Sequence, residues 1–278
     1  MAFIVPPRIS KFAGATIACL MSMGANAQDT SPWVNDTYSA VRLIAGSRSG
    51  AAFLGGISFQ LQPGWKTYWR NPGDSGVPPR IDFSKSENVE SVTILWPAPK
   101  KFPDGAGGTS LGYQKHVILP LRITAKHADK PVTLRAAINY AVCEKICVPV
   151  EANAELVFAS VASTEDSVIT AALDTVPKPM KIGDAGPLTV LNVKRDGKSV
   201  LVDVAATDNQ QNVDLFVEGP TQDWALPIPK LVERDASGIM RFSFDLDGLP
   251  PGASPDGAAL KLTVVGSDGA YEFNTTLH

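Results

Sequence analysis

Cys143-Glu144-Lys145-Ile146-Cys147 is the segment whose residue types and spacing could carry chemistry. Two nearby thiols can form a disulfide, exchange it with a partner, or contribute to a soft-metal site. In a straight strand, cysteines at this spacing lie about 13 Å apart, beyond the reach of any disulfide. They meet only where the chain turns between them. The flanks predict that turn: 137–142 reads as a strand, 154–158 as the return strand, and Glu144, Lys145 and Ile146 as a three-residue hairpin turn. Pro149 has no N–H to give to a ladder, so the return strand is an edge or starts after it, which keeps the pair near the surface. A disulfide closing so short a loop constrains the unfolded chain less than a long-range bridge does. Spacing alone therefore leaves a structural staple and redox chemistry both open. Lys145 would lower a neighbouring thiol pKa and Glu144 would oppose it.

The compartment bears on that choice. Arg8 and Lys11 form a basic start, 12–23 is an apolar run, and Ala25-Asn26-Ala27 supplies a small-x-small cleavage pattern. Residues 1–27 thus read as a signal peptide cleaved before Gln28. The apolar run is well short of the ~20 residues a membrane-spanning helix needs, and no later stretch is apolar enough to cross a bilayer. Cleavage removes Cys19 and leaves Cys143 and Cys147 in an oxidising compartment. The expectation is a soluble exported protein with no stable membrane insertion.

Other chemistries find little support. The formal net charge is −3 with no basic cluster, which argues against nucleic acid as a partner. His116, His127 and His278 have no metal-type spacing with one another or with the cysteines, so no metal or other cofactor is expected. Neither a Gly-x-Ser-x-Gly elbow nor a phosphate loop is present. Asp74 and Asp104 lie in Gly-rich loops and read as turn formers. Trp65, Tyr68 and Trp69 read first as packing, because aromatic side chains bury so much area.

The elements that must position the cysteines are mostly strands. Alternation of period two runs through 53–61, 117–123, 132–138, 155–158, 188–193, 200–204, 213–217, 240–244 and 260–265, with Gly, Pro and Asp between the runs. Asp196-Gly197 is the clearest hairpin signal. One helix stands out, capped by Ser163 or Thr164, with Glu165 and Asp166 in its first turn and Pro177 beyond its end. Val168, Ile169, Ala172, Leu173 and Val176 give it an apolar face. The fold class is all-β: two immunoglobulin-like β-sandwiches at 28–162 and 183–278, joined by a helix and linker at 163–182. The stretch 64–79, rich in aromatics, Gly and Pro, is expected as long loops or edge segments.

Gly64-Trp65-Lys66-Thr67-Tyr68-Trp69-Arg70-Asn71-Pro72-Gly73-Asp74-Ser75-Gly76, then Trp96-Pro97-Ala98-Pro99, Gly112-Tyr113 and Cys143 to Pro149, occur in an order that resembles the N-terminal periplasmic domain of the disulfide reductases DsbD and ScsB. The resemblance covers most of 35–160 and looks closest to the ScsB-like branch, which shares the short Cys-x-x-x-Cys spacing. It implies a periplasmic protein that takes electrons from a membrane-embedded disulfide reductase through a thioredoxin-like donor and passes them to oxidised periplasmic proteins. It also implies Cys147 as the attacking thiol, Cys143 as the resolving one, and Tyr68 as an aromatic neighbour of the pair. In DsbD an aromatic cap loop shields the cysteines; the corresponding place here is the glycine-rich 105–109 loop, with Phe102 as an alternative cap residue. Nothing in the sequence resembles the membrane or thioredoxin-like units of the full reductases, so the electron donor is expected to be a separate protein. Two other readings stand beside this one: a non-catalytic binding or chaperone-like envelope module with a structural disulfide, and a metal-handling protein, since ScsB-type systems are associated with copper stress.

Overall fold

Alternating side chains make sheets only when two apolar faces meet, and here four sheets pair off in that way. The structure is a computed structural model that describes residues 1–2, 28–207 and 212–278. Of the signal peptide read at residues 1–27, residues 3–27 lie outside the described residues. The first eleven strands are β1 (Val34–Asn35), β2 (Ser39–Ser49), β3 (Ala52–Leu61), β4 (Lys66–Gly73), β5 (Arg80–Asp82), β6 (Val89–Ile94), β7 (Lys100–Pro103), β8 (Thr109–Gln114), β9 (His116–Ala125), β10 (Val132–Cys143) and β11 (Cys147–Phe158). After helix α1 (Asp166–Leu173) come β12 (Lys178–Met180), β13 (Leu188–Asp196), β14 (Ser199–Ala206), β15 (Asp214–Glu218), β16 (Lys230–Arg234), β17 (Met240–Asp245), β18 (Ala259–Gly266) and β19 (Gly269–Thr276).

In the first sandwich, one sheet runs β1-β2-β3-β9-β6 and faces a second in the order β11-β10-β4-β8-β7, with β5 also pairing β10. Leu43, Ile57, Phe59, Leu119 and Leu121 of one sheet bury against Trp69, Leu111, Ile138, Tyr140 and Val142 of the other. The second sandwich pairs β12-β19-β18-β15 with β13-β14-β17-β16 around Val190, Val202, Phe242, Leu262 and Phe273. The Asp196-Gly197 signal becomes the β13–β14 hairpin, with Gly197 at φ 61° in its turn. The fold is thus the expected pair of immunoglobulin-like sandwiches.

One expectation is overturned. The 64–79 stretch is not all loop, because 66–73 is β4, a central strand of its sheet. Pro72 and the glycines fall at its far end, past a break in the β4–β8 register between Tyr68 and Gly73. Only the first residues, Lys66 to Tyr68, carry the regular β4–β8 ladder, and none of them is Pro or Gly. The glycine that matters lies on β8: a Cβ on Gly112 would come 2.0 Å from the Thr67 carbonyl oxygen, so the close approach of β8 to β4 requires its absence.

The helix is also shifted from its predicted start. Glu165 is its N-cap and makes no side-chain capping bond. Ser163 accepts from the Glu165 N–H and donates to the Ala45 carbonyl, while Thr164 donates to Asp29, so both candidate caps are engaged elsewhere. Asp166, in the first turn, accepts from the Ser47 amide and hydroxyl and pins the helix to β2. Ile169 is buried against Ile44 and Ile118 on the outer face of the first sheet, which contributes about 1.5–3 kcal/mol. Val168 faces solvent, so the apolar stripe is narrower than its spacing suggested.

The sandwiches are held together through β4. Arg70 donates to Glu218 at 2.7 and 2.8 Å and to Glu272 at 2.6 Å, and its guanidinium lies over the Trp69 ring. The Asn71 amide donates to the Val217 carbonyl at 2.9 Å. Phe216 reaches across to Trp69 with ring centroids 5.9 Å apart and joins the first core.

Candidate functional site: a half-buried disulfide with a tyrosine donor

Cys143 ends β10 and Cys147 begins β11, so the two cysteines are direct cross-strand partners. Glu144, Lys145 and Ile146 make the turn, closed by the Glu144 N–H donating to the Ile146 carbonyl. The pair is disulfide-bonded with Cα atoms 4.2 Å apart. Of its sheet, β11 is an edge, as Pro149 required.

Alternation decides which sulfur is covered. Val142 points into the sandwich core, so Cys143 points to the outer face of the sheet, where Ala141 and Tyr68 cover it to 2 % exposure. Cys147 sits at the edge and is exposed, next to Ile146 at 65 % exposure. The disulfide thus has one reachable sulfur and one shielded one.

Tyr68 arrives from β4. Strand β4 pairs with the end of β10 at Val142–Thr67 and Cys143–Lys66, which puts Lys66 and then Tyr68 on the face that carries Cys143. The Tyr68 hydroxyl donates to Cys143 Sγ at 2.8 Å and lies 3.3 Å from Cys147 Sγ. Disulfide sulfurs carry no proton, so the phenol is the donor to both. Burial, and after it the Asp104 carboxylate, push the Tyr68 hydroxyl above the ordinary phenol value, which keeps it protonated. Gly76 lies flat on the Tyr68 ring, where a Cβ would come within 2.3 Å of Cε1. Gly76 also lines a cleft of about 590 Å³ between the sandwiches, together with Arg70, Pro78, Glu218 and Trp224.

The remaining sequence candidates separate. Trp65 stacks on Tyr38 and Trp69 is enclosed in the core, so packing describes both; Tyr68 alone of that trio faces the sulfurs. Asp104 accepts from the Ala106 and Gly108 amides, which organise its turn and hold its carboxyl below the ordinary aspartate value, and Asp74 accepts from the Thr109 amide. Phe102 stands beside the Lys66 ammonium, with Nζ 5.7 Å from its ring centroid. His116 is bonded to Ser58, and among the described residues no group of three or more His, Cys, Asp or Glu side chains is arranged to hold a metal ion. Sequence reasoning missed Lys66, which is only 9 % exposed. A lysine two residues before Tyr68, and so on the same face of an aromatic strand, was the available signal.

Residues 37–159 match the family of the N-terminal domain of the thiol:disulfide interchange protein DsbD. The first sandwich thus matches the DsbD N-terminal domain family. The N-terminal periplasmic domain of ScsB from Proteus mirabilis superposes with a TM-score of 0.74 at 22% identity, over 90% of this chain and 98% of that one, so the likeness extends through both sandwiches as a shared fold. The GAE domain of yeast GGA1, at 10% identity over 45% of this chain and 97% of that one, has a TM-score of 0.25 and carries no argument. No curated protein matches the chain. Among the described residues, no helix is long and apolar enough to cross a membrane.

Proposed function

We propose that this DsbD/ScsB-type domain is a periplasmic thiol–disulfide carrier working through Cys143 and Cys147. The observation that carries the reading is the asymmetry of the bond: an exposed Cys147 sulfur, a covered Cys143 sulfur, and one phenol donating to both. A staple needs no such donor, and a carrier does. To reduce the disulfide, one thiolate of a donor dithiol, from a membrane reductase or thioredoxin-like protein, attacks Cys147 Sγ. A mixed disulfide forms, Cys143 leaves as a thiolate, and the donor's second thiol then releases Cys147. In the forward direction the Cys147 thiolate attacks an oxidised partner's disulfide and expels a partner thiolate. Cys143 then attacks Cys147 Sγ, restoring the internal bond and leaving the partner a dithiol. Two electrons pass to the partner, and the protons exchange with solvent. Tyr68 stabilises the Cys143 thiolate as it leaves during reduction and the Cys147 thiolate before it attacks a partner.

The test is the reduction potential of the bond, with partner trapping. A potential of roughly −120 to −270 mV supports a carrier, while one well below about −300 mV, with reduction only on unfolding, assigns the bond to structure. Copper-dependent, thiol-dependent stabilisation would instead favour metal handling.

A further inference from the structure

We infer that the free edge of β11 beside Cys147 is a docking strip. On it an extended segment of a redox partner adds as a further strand and brings its own cysteine to the reachable sulfur. The inference rests on the carrier reading. The Glu144 N–H to Ile146 carbonyl bond and the 4.2 Å spacing of the cysteine Cα atoms mark Cys143–Cys147 as a non-hydrogen-bonded pair of the β10–β11 ladder. The register runs without a break from there to Val132–Phe158, so bonded and non-bonded pairs alternate along it. Val148, Val150 and Ala152 therefore spend their backbone groups on β10, while Cys147, Pro149, Glu151 and Asn153 turn theirs away from it. The ladder partner of Pro149 confirms the alternation: the Ala141 carbonyl faces the other side of β10, where the Thr67 hydroxyl donates to it at 2.9 Å.

Strand β11 ends its sheet, and among the described residues no hydrogen bond satisfies the outward backbone groups of these four positions. All four residues are exposed. An unpaired edge of this kind is a template for another strand. The strip begins at the attacking cysteine itself, so a segment paired there holds its sulfur beside Cys147. Pro149 costs the β10–β11 ladder nothing, because its missing N–H is one of the outward groups. It also removes one donor from the strip, and Glu151 places a charge on it. Both features keep an added strand short and close the edge to indiscriminate pairing. A carrier has to release each partner after exchange, and a strip that offers few bonds suits that. Main-chain recognition is also tolerant of partner side chains, as a protein that meets both a donor and oxidised substrates requires.

The probe is a short Thr- and Val-rich peptide with a central cysteine blocked as its disulfide with thionitrobenzoate. The small control is N-acetylcysteine blocked in the same way. The Cys147 thiolate of the reduced protein attacks the peptide sulfur and expels coloured thionitrobenzoate. Cys143 then attacks Cys147 Sγ, closing the internal disulfide and releasing the peptide thiol. The readout is the ratio of the peptide rate to the control rate, with circular dichroism as the check of fold. Glu151→Pro deletes an outward donor without touching the β10–β11 ladder and should lower the ratio about fivefold. Pro149→Val adds a donor and should raise it by about the same factor. Glu151→Gln keeps the donor and should keep the ratio. Peptides N-methylated at alternate residues need no variant, so the test survives if Glu151→Pro fails to fold. Methyls facing β11 should reduce the peptide to the rate of the control, and methyls facing solvent should not. Equal ratios in the wild type, Glu151→Pro and Pro149→Val, or equal rates for the two methylation patterns, overturn the inference. Self-association of the wild type in sedimentation, abolished by Glu151→Pro, gives the strip to a second copy of this chain and overturns it too. A bond that dithiols cannot reduce in the folded protein overturns the carrier reading instead. Amide NMR of the oxidised protein with the serine form of the peptide then still reads the strip, because the Glu151 and Asn153 amides shift on pairing and the Val150 and Ala152 amides do not.

Discussion

The Tyr68 hydroxyl donates to Cys143 Sγ at 2.8 Å from a strand 75 residues away in sequence, and reaches Cys147 Sγ at 3.3 Å with the same proton. A hydrogen bond to an ionised group is worth about 1.5–3 kcal/mol, more than one to a neutral sulfur. Tyr68→Phe should therefore slow exchange with a small dithiol by roughly tenfold, with little loss of stability. Stopped-flow reduction of both proteins measures this. Equal rates would remove Tyr68 from the chemistry.

The two cysteines should behave differently when each is replaced. With Cys147 exposed and Cys143 covered, Cys143→Ser should accumulate mixed disulfides with thiol partners. Cys147→Ser should accumulate few, because its remaining thiol is shielded. Non-reducing gels of the two variants, exposed to an oxidised model protein, show the difference. Equal trapping would mean that the sulfurs exchange places in solution.

Gly76→Ala should act on the chemistry through Tyr68. The added methyl falls 2.3 Å from the ring, and the glycine φ of 128° is strained for any other residue. Overpacking of this kind costs roughly 1–3 kcal/mol. The expected result is a lower denaturation midpoint together with the slowed exchange of Tyr68→Phe. Stability loss with normal exchange would show that the loop moves while the ring stays.

Removing Arg70 should loosen one sandwich from the other. Arg70→Met leaves Glu218 and Glu272 partly buried and without their shared guanidinium, although Lys261 still reaches Glu272 at 3.3 Å. Breaking a pair at this depth costs about 2–4 kcal/mol after allowance for partial exposure. Urea unfolding followed by probes in each sandwich should change from one shared transition to two. Coincident transitions in the variant would show that Trp69, Phe216 and Asn71 suffice.

The hold of α1 on the first sandwich should depend on pH. The Ser47 hydroxyl, opposed by burial and helped by the Ser47 and Ser163 amides, keeps the Asp166 carboxyl below the ordinary aspartate value. A carboxyl depressed by folding adds stability that is present above its unfolded pKa and is lost as pH falls through the folded one. The contribution should be intact at neutral pH and decline progressively as pH falls below about 4 towards the folded value. Hydrogen exchange of α1 amides at pH 7 and pH 3 should show the loss in the wild type, and a much flatter response in Asp166→Asn.

Much of this protein is legible in its sequence, because period-two alternation, turn residues and cysteine spacing act over a few residues each. The Cys143–Cys147 hairpin, the edge position of its return strand, and the two β-sandwiches follow from such local rules. Tertiary structure decided the rest. The Gly- and Pro-rich appearance of 64–79 concealed a central strand, since Lys66 to Tyr68 pair regularly and the breakers lie beyond them. Which cysteine is covered depends on the face that β10 turns to the core. Tyr68 meets the sulfurs because β4, rather than some other strand, pairs with the end of β10. Alternation says that a strand has two faces. Strand order and register decide which distant residues share one, and they are set by the packing of the whole sandwich.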